Sequence, residues 1–225
     1  MKRINVLSRL KNAGVIAVIR ADSSEEAIKA TDAVVKGGIK GLEITFTIPQ
    51  ADSVIKRIAD TYSNNPNVVV GAGTVLDAYT ARLAIIAGAE YIVSPCFDPE
   101  TAEICNLYQI PYLPGCMTIT EMKNALKAGV DIVKLFPGNS FGPSIISSFK
   151  APLPQLNIMP TGGVSLENMQ EWFKQGAVAV GVGGNLLAPV KNGDYEEVSN
   201  IAKSYMDKYK EIRDIVFGDY LLVNK

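Results

Sequence analysis

Residues 23–47 read SSEEAIKATDAVVKGGIKGLEITFT, which is a polar-capped amphipathic segment followed by a short apolar one. Serines followed by glutamates are typical of a helix N-terminus, and paired glycines are typical of a helix end. The run at 41–47 has the length and the β-branched content of a strand. A helix that ends at glycine just before a strand is one unit of a parallel α/β fold.

The same arrangement recurs along the chain. In AIIAGAE (84–90), ALKAGVD (125–131) and WFKQGAV (172–178) a helical pattern ends at glycine, and a strand pattern follows two or three residues later. The strand patterns are short and rich in valine and isoleucine, as in parallel strands buried on both faces. There are eight such runs, at 14–20, 41–47, 67–74, 91–95, 111–115, 131–137, 157–163 and 178–184.

Eight alternating units predict an all-parallel (β/α)8 TIM barrel. We expect a single barrel domain over residues 1–225, with an extra C-terminal tail at about 211–225. A doubly wound open sheet is the alternative, but no GxGxxG follows the first strand.

Composition excludes several classes of function. Lysine plus arginine number 22 against 23 aspartate plus glutamate, so the chain lacks the basic excess typical of proteins that bind nucleic acid or anionic membranes. Its apolar stretches are too short for a transmembrane helix, and its first ten residues lack a signal-peptide core. Three cysteines without a CxxC pair indicate free thiols in a reducing compartment, so we expect a cytoplasmic protein.

The chain contains no histidine. This absence removes the commonest general base and most zinc sites, so we expect neither a metal nor another cofactor. Catalysis would then depend on lysine, carboxylate, tyrosine, cysteine or backbone groups. We expect the cysteines, Trp172 and Phe173 to be packing residues. We also expect Lys2, Arg3, Arg9 and Lys11 to form a solvated helix face.

Two solitary charges lie within predicted strands. Lys134 is the only charged residue between Ile132 and Phe149, and Glu43 is the only one between Gly41 and Ala51. The period-two alternation of a strand places Glu43, Thr45 and Thr47 on one face. The apolar face packs on the helices, so we expect the polar face to point into the mouth of the barrel, where barrel enzymes carry their chemistry.

A lysine and a glutamate in a water-poor mouth favour Schiff-base chemistry. Burial disfavours a charged amine, and a neutral amine attacks a ketone to form an iminium that withdraws electrons from an adjacent bond. The glutamate can move the protons of this reaction. Lys134 and Glu43 therefore predict an aldolase that needs no metal. The alternative interpretation is an ion pair that only supports the barrel.

Glycine pairs follow the seventh and eighth strands, in PTGGVSLEN (160–168) and GVGGNLL (181–187). Many barrels bind a phosphate at these two loops through backbone N–H groups. Either pair alone would indicate a tight turn, but the two together favour a phosphate site.

Seven motifs, each on or next to a predicted strand, resemble the bacterial 2-keto-3-deoxy-6-phosphogluconate (KDPG) and 4-hydroxy-2-oxoglutarate aldolases. The resemblance covers about residues 4–210. It implies a homotrimeric class I aldolase that cleaves KDPG into pyruvate and glyceraldehyde 3-phosphate, so that its partners are a ketoacid and a phosphorylated aldehyde. The motifs are GLEITFT, VGAGTV, VSP, PYLPG, VKLFPG, MPTGGV and GVGGN.

The resemblance also implies roles for individual residues. Lys134 would be the Schiff-base lysine, Glu43 the proton carrier, Thr74 a contact of the pyruvyl carboxylate, and Thr161 a neighbour of the aldehyde. The predicted substrate-binding set is Arg20, Thr47, Thr74, Pro95, Phe136 and Thr161, and the predicted phosphate-binding set is Gly162, Gly163, Gly183, Gly184 and Asn185.

Two positions depart from the family pattern. Thr47 stands where some members have a carboxylate-binding arginine, and Arg20 could supply the missing cation. Asn185 stands where some members have serine, which leaves the aldehyde specificity open. A galactonate-series aldolase therefore remains an alternative. The Lys134–Glu43 pair and the glycine loops also fit a phosphosugar epimerase or isomerase without a covalent step, and a non-catalytic barrel is a third alternative. Unphosphorylated 4-hydroxy-2-oxoglutarate is a further candidate substrate.

Overall fold

The computed structural model describes residues 1–216, and residues 217–225 lie outside the described part. Within the described residues, eight strands alternate with helices. The strands are β1 Val15–Ile19, β2 Gly41–Thr45, β3 Val69–Gly73, β4 Tyr91–Ser94, β5 Tyr112–Cys116, β6 Val133–Leu135, β7 Ile158–Pro160 and β8 Val180–Val182. The helices are α1 Lys2–Ala13, α2 Ser24–Lys36, α3 Ala51–Thr61, α4 Ala78–Ala87, α5 Pro99–Leu107, α6 Ile119–Lys127, α7 Ile145–Lys150, α8 Met169–Lys174, α9 Gly184–Leu187 and α10 Tyr195–Val216.

The sheet is parallel throughout and closes on itself. Its strand order is β7-β6-β5-β4-β3-β2-β1-β8. Two parallel bridges, Ile158 with Ala177 and Thr161 with Gly181, join β7 to the β8 side. The predicted (β/α)8 barrel is confirmed. The first residues of the predicted tail at about 211–225 belong to α10, which continues to Val216, and the rest of that tail lies outside the described residues.

Helix ends follow the signals in the sequence. Ser23 caps α2 by accepting a hydrogen bond from the backbone N–H of Glu26. Thr118 and Glu121 form a reciprocal capping box at the start of α6. Gly88 ends α4 in the left-handed region with a φ of 108°. Each of these three signals lies at a junction between a helix and the neighbouring strand in the sequence.

The apolar core has two parts. The larger part lies between the sheet and the surrounding helices and includes Trp172 and Phe173, so their prediction as packing residues is confirmed. The smaller part fills the barrel interior with side chains such as Ile16, Tyr91 and Met159. Val6, Leu10 and Ala13 of α1 belong to this inner cluster, so α1 closes the amino-terminal end of the barrel.

Two arginines fasten α1 to the barrel. Arg3 donates to Asp131 Oδ2 at 2.7 Å and to the carbonyl of Gly129, just before β6. Arg9 pairs with Glu90 at 2.5 Å, just before β4. The prediction of a solvated face is therefore wrong for Arg3 and Arg9, whose side chains are only 17% and 24% exposed. Their partners are too distant in sequence for the helix pattern to reveal. Lys2 and Lys11 are exposed, as expected.

No helix within residues 1–216 is long and apolar enough to span a bilayer. The three cysteines are free. Cys105 and Cys116 are buried, as predicted for packing residues, but the prediction is wrong for Cys96, which is exposed in the loop after β4.

Candidate active site

Glu43 and Lys134 meet inside the barrel. They lie on β2 and β6, which are on opposite sides of the eight-stranded ring. Lys134 Nζ is 3.2 Å from Glu43 Oε1, and the two side chains are 5% and 1% exposed. Because side chains alternate along a strand, both point inward while their neighbours pack on the helices. The arrangement that the sequence predicted for this pair is present.

Glycine on β3 makes room for the carboxylate. A Cβ added to Gly73 would lie 2.3 Å from Glu43 Oε1 and 2.5 Å from its Cγ. That separation is far below a van der Waals contact, so any side chain at this position displaces the glutamate. Gly73 therefore fixes where the carboxylate lies.

The side chain of Tyr91 packs inside the barrel against the strands that flank Glu43. Its ring lies against Gly71, where an added Cβ would lie 2.3 Å from ring atoms. Its hydroxyl donates to the carbonyl of Leu42, next to Glu43, at 2.7 Å. Complete burial raises the pKa of Tyr91 well above its usual value, and the charge of Glu43 raises it further. The phenol stays protonated and keeps its hydrogen bond to the strand that carries the carboxylate.

The mouth contains two buried polar side-chain atoms that the described part of the chain does not pair. Within residues 1–216, neither Glu43 Oε2 nor Thr161 Oγ1 makes a hydrogen bond to protein. A buried polar atom without a partner costs about 1–3 kcal/mol. Gly181 leaves space beside Thr161, since an added Cβ would lie 2.3 Å from Oγ1. The mouth therefore offers unpaired polar groups to a bound molecule.

An aromatic ring lies near the lysine, and a strained residue ends β3. Lys134 Nζ lies 5.1 Å from the centroid of the Phe136 ring, which is within the range of a cation–π contact. Thr74, at the end of β3, has a φ of 55°. A β-branched residue rarely adopts positive φ, and such strain concentrates at functional sites.

The rim carries the remaining predicted contacts. Arg20 and Thr47 are exposed at the ends of β1 and β2. Pro95 is half-buried after β4, and its carbonyl approaches Gly115 so closely that no Cβ fits there. These residues lie at the same end of the barrel as the Glu43–Lys134 pair.

Backbone conformation and packing explain the two glycines in the loop after β7. Gly162 and Gly163 have φ values of 93° and 74°. A Cβ on Gly163 would lie 2.6 Å from Asn139 Cβ, and Gly138 N–H donates to the carbonyl of Thr161 at 2.8 Å. The loops after β6 and β7 thus pack tightly, so the first glycine pair does not by itself indicate a phosphate.

The second glycine pair is different. An added Cβ on Gly183 would lie 3.1 Å from the carbonyl of Val18, whereas one on Gly184 would have nothing within 4 Å. Gly184 and Asn185 are exposed and open the short helix α9. Protein packing therefore does not require glycine at 184, and its backbone is free for a ligand to approach.

Several residues of the site were not predicted. The alternation along β2 had already placed Thr45 on the same face as Glu43, and Thr45 is buried there. Gly73 and Tyr91 gave no sequence signal, because glycine and tyrosine are unremarkable at strand ends. Across residues 1–216, no three histidine, cysteine, aspartate or glutamate side chains are grouped so that they could hold a metal ion.

Comparison with known proteins decides the family. A model described as "KDPG and KHG aldolase" matches residues 6–201. The chain belongs to the KDPG and KHG aldolase family. It is therefore an aldolase, and hence a lyase, and the resemblance inferred from the motifs is confirmed.

Individual relatives agree with this assignment. A 2-dehydro-3-deoxy-phosphogluconate aldolase of Pseudomonas aeruginosa is 33% identical over 215 residues, which is 94% of this chain and 95% of that protein. A 2-dehydro-3-deoxy-6-phosphogalactonate aldolase of Escherichia coli is 32% identical over 198 residues, or 88% of this chain and 95% of that protein. The structure of the Legionella pneumophila KDPG aldolase, with pyruvate captured as a covalent carbinolamine, superposes with a TM-score of 0.80 at 26% identity, covering 88% of this chain and 96% of that one.

Proposed function

We propose that this aldolase is a class I enzyme that cleaves KDPG to pyruvate and glyceraldehyde 3-phosphate through an imine on Lys134. The observation that carries the proposal is the buried contact of 3.2 Å between Lys134 Nζ and Glu43 Oε1. A proton moved along this hydrogen bond leaves a neutral amine and a neutral acid, which are the two forms that the first step needs.

The reaction then follows from the pair. The amine of Lys134 attacks the C2 carbonyl, and Glu43 supplies the proton with which the carbinolamine loses water. Glu43, now a carboxylate, takes the proton of the C4 hydroxyl as the C3–C4 bond breaks, which releases the aldehyde and leaves an enamine. Glu43 returns that proton to C3, and water then hydrolyses the imine and releases pyruvate. No metal or other cofactor takes part in this scheme.

The rim residues complete the proposed site. Arg20 is the cation offered to the ketoacid carboxylate, with Thr74, Pro95 and Phe136 around the pyruvyl group and Thr161 beside the aldehyde. The phosphate would lie between the loops after β7 and β8. Its proposed donors are the backbone N–H groups of Gly162, Gly163, Gly183 and Gly184 and the amide of Asn185.

Borohydride trapping tests the covalent step. Incubation with pyruvate and borohydride should add one reduced pyruvyl group to Lys134, detected by peptide mass spectrometry. Lys134→Met should remove both the adduct and the activity, with a loss of several orders of magnitude. Glu43→Gln keeps the size of the side chain and should slow both trapping and turnover. Wild-type protein that stays unmodified while it cleaves substrate would rule out the imine.

The preferred substrate requires a direct comparison. The relatives include both gluconate-series and galactonate-series aldolases, and the family model includes KHG aldolases. We expect kcat/KM to be largest for KDPG. Assays with KDPG, its galactonate epimer and 4-hydroxy-2-oxoglutarate test this order. Family membership favours the aldolase over the phosphosugar epimerase and the non-catalytic barrel.

We also propose a cytoplasmic homotrimer. Three free cysteines suit a reducing compartment. Leu76, Tyr79 and Met117 are large apolar side chains exposed on or near the loops that follow β3 and β5, and a subunit interface would cover such side chains. Light scattering after gel filtration should give three times the monomer mass of 24.2 kDa. Tyr79→Glu should lower that mass if this surface forms the interface.

A further inference from the structure

The loop between β4 and α5, residues 95–98, is anchored to β5 by one buried hydroxyl. Tyr112 opens β5 and is 3% exposed. Its Oη lies 2.7 Å from Ser94 Oγ and 3.2 Å from the carbonyl oxygen of Cys96, and it accepts a hydrogen bond of 3.2 Å from the backbone N–H of Asp98. The Ser94 hydroxyl is also placed to donate to the Cys96 carbonyl. The phenol of Tyr112 therefore contacts both ends of the loop.

This network holds the loop whichever hydroxyl donates between Ser94 and Tyr112. Each hydroxyl has one proton, and either of them can serve the contact of 2.7 Å. In both cases the proton of the other hydroxyl is free to reach the carbonyl of Cys96. Burial raises the pKa of the Tyr112 phenol above its usual value, so the phenol stays protonated near neutral pH.

The anchored loop places Pro95 beside the strand next to Lys134. A Cβ added to Gly115 would lie 2.0 Å from the carbonyl oxygen of Pro95 and 2.4 Å from its carbonyl carbon. Gly115 is the register partner of Lys134 across β5 and β6, and partners in adjacent strands face the same side of a sheet. The Pro95 carbonyl group thus occupies the inner face of β5 where Gly115 lacks a side chain, one strand away from the lysine.

Movement of the loop would move Pro95 with it. Cys96, whose carbonyl the two hydroxyls hold, is the next residue in the chain. Proline has no backbone N–H, so Pro95 cannot anchor itself through that group. The far end of the loop is fixed to α5, because Asp98 accepts hydrogen bonds from the backbone N–H and the hydroxyl of Thr101. Tyr112 adds the connection to β5.

We propose that Tyr112 is a positioning residue that holds Pro95 against the pyruvyl group of the substrate. The inference rests on the proposed function, in which Pro95 contacts that group. Tyr112 packs in the layer between the sheet and the helices, so it acts through the loop and does not touch the substrate. Loss of its hydroxyl weakens pyruvate binding and leaves the aldehyde end of the site unchanged.

Borohydride trapping at a series of pyruvate concentrations tests the proposal. The concentration that gives half-maximal trapping should rise about fivefold in Tyr112→Phe, which corresponds to the loss of one neutral hydrogen bond. The KM for glyceraldehyde 3-phosphate, measured in condensation at saturating pyruvate, should change by less than about twofold. Ser94→Ala disturbs the same network and should have the same effect, and the double variant should show less than the sum of the two effects. If Tyr112→Phe does not fold, Ser94→Ala carries the test.

A second buried tyrosine provides the matched control. The hydroxyl of Tyr209 donates to the carbonyl of Lys11 on α1, away from the β4–α5 loop. Tyr209→Phe should therefore leave the half-maximal pyruvate concentration unchanged.

The outcomes separate this inference from the proposed function. A half-maximal concentration within about twofold of wild type in folded Tyr112→Phe overturns the inference alone. An equal rise in Tyr209→Phe, or an equal rise in the KM for the aldehyde, also overturns it, because either result indicates a general loosening of the fold. Wild-type protein that is active but never trapped overturns the proposed function and this inference with it.

Discussion

Replacing Gly73 by alanine should impair catalysis while leaving the barrel folded. The added Cβ would lie 2.3 Å from Glu43 Oε1, whereas ordinary contacts begin at 3.4 Å. The carboxylate must therefore move by about 1 Å, and a displacement of this size can cost about 100-fold in rate. That factor corresponds to about 2.7 kcal/mol of transition-state stabilisation.

The assay follows pyruvate release from KDPG and reports kcat for Gly73→Ala. Gly41→Ala is the matched control, because its Cβ would lie 2.2 Å from Ile16 Cδ1 inside the same barrel and the three heavy atoms nearest to it do not include any of Glu43. Both variants should lose about 1–3 kcal/mol of stability from overpacking, but only Gly73→Ala should lose most of its kcat. An equal loss of kcat in the two variants, or a kcat within twofold of wild type for Gly73→Ala, would refute the reasoning.

Three further predictions concern stability and thiol chemistry. Arg9→Ala should lower the free energy of unfolding by about 2 kcal/mol in urea titrations, because it leaves Glu90 without its ion-pair partner; Lys11→Ala, at an exposed position of the same helix, should change it little. Ser23→Ala removes the cap of α2 and should cost about 1 kcal/mol in the same measurement, whereas Ser23→Gly should cost less. Burial raises the pKa of Cys116 to about 12, with a smaller contribution from the charge of Glu121. Its thiol therefore stays protonated at pH 8, and a disulfide reagent should modify exposed Cys96 first. Equal rates for the two cysteines in folded protein would contradict the assignment.

The sequence predicted the parts of this molecule that depend on local patterns. Strand positions follow from short apolar runs, and helix ends follow from serine caps and glycines. Glu43 and Lys134 were found because a lone charge in an apolar strand has few explanations, and alternation gives its direction. Family membership confirms the class of enzyme that this pair suggested.

Contacts between distant segments were not predictable in the same way. Arg3 and Arg9 bond to groups that precede β6 and β4, and no spacing on α1 encodes those partners. The packing of Gly163 against Asn139 depends on how the loops after β6 and β7 meet. Likewise, the hydrogen bond of buried Thr45 depends on the carbonyl of Ile19, which belongs to another strand. Each of these features requires the closed barrel to be in place first.

The position of α1 at the closed end of the barrel determines how the enzyme can be immobilised. Because α1 lies across the end remote from the Glu43–Lys134 pair, a polypeptide anchor attached ahead of Met1 emerges at the far side of the molecule. Protein tethered to a bead or sensor chip through that anchor would present its open mouth to the surrounding liquid. Small ketoacids and aldehydes would then diffuse in without obstruction by the support.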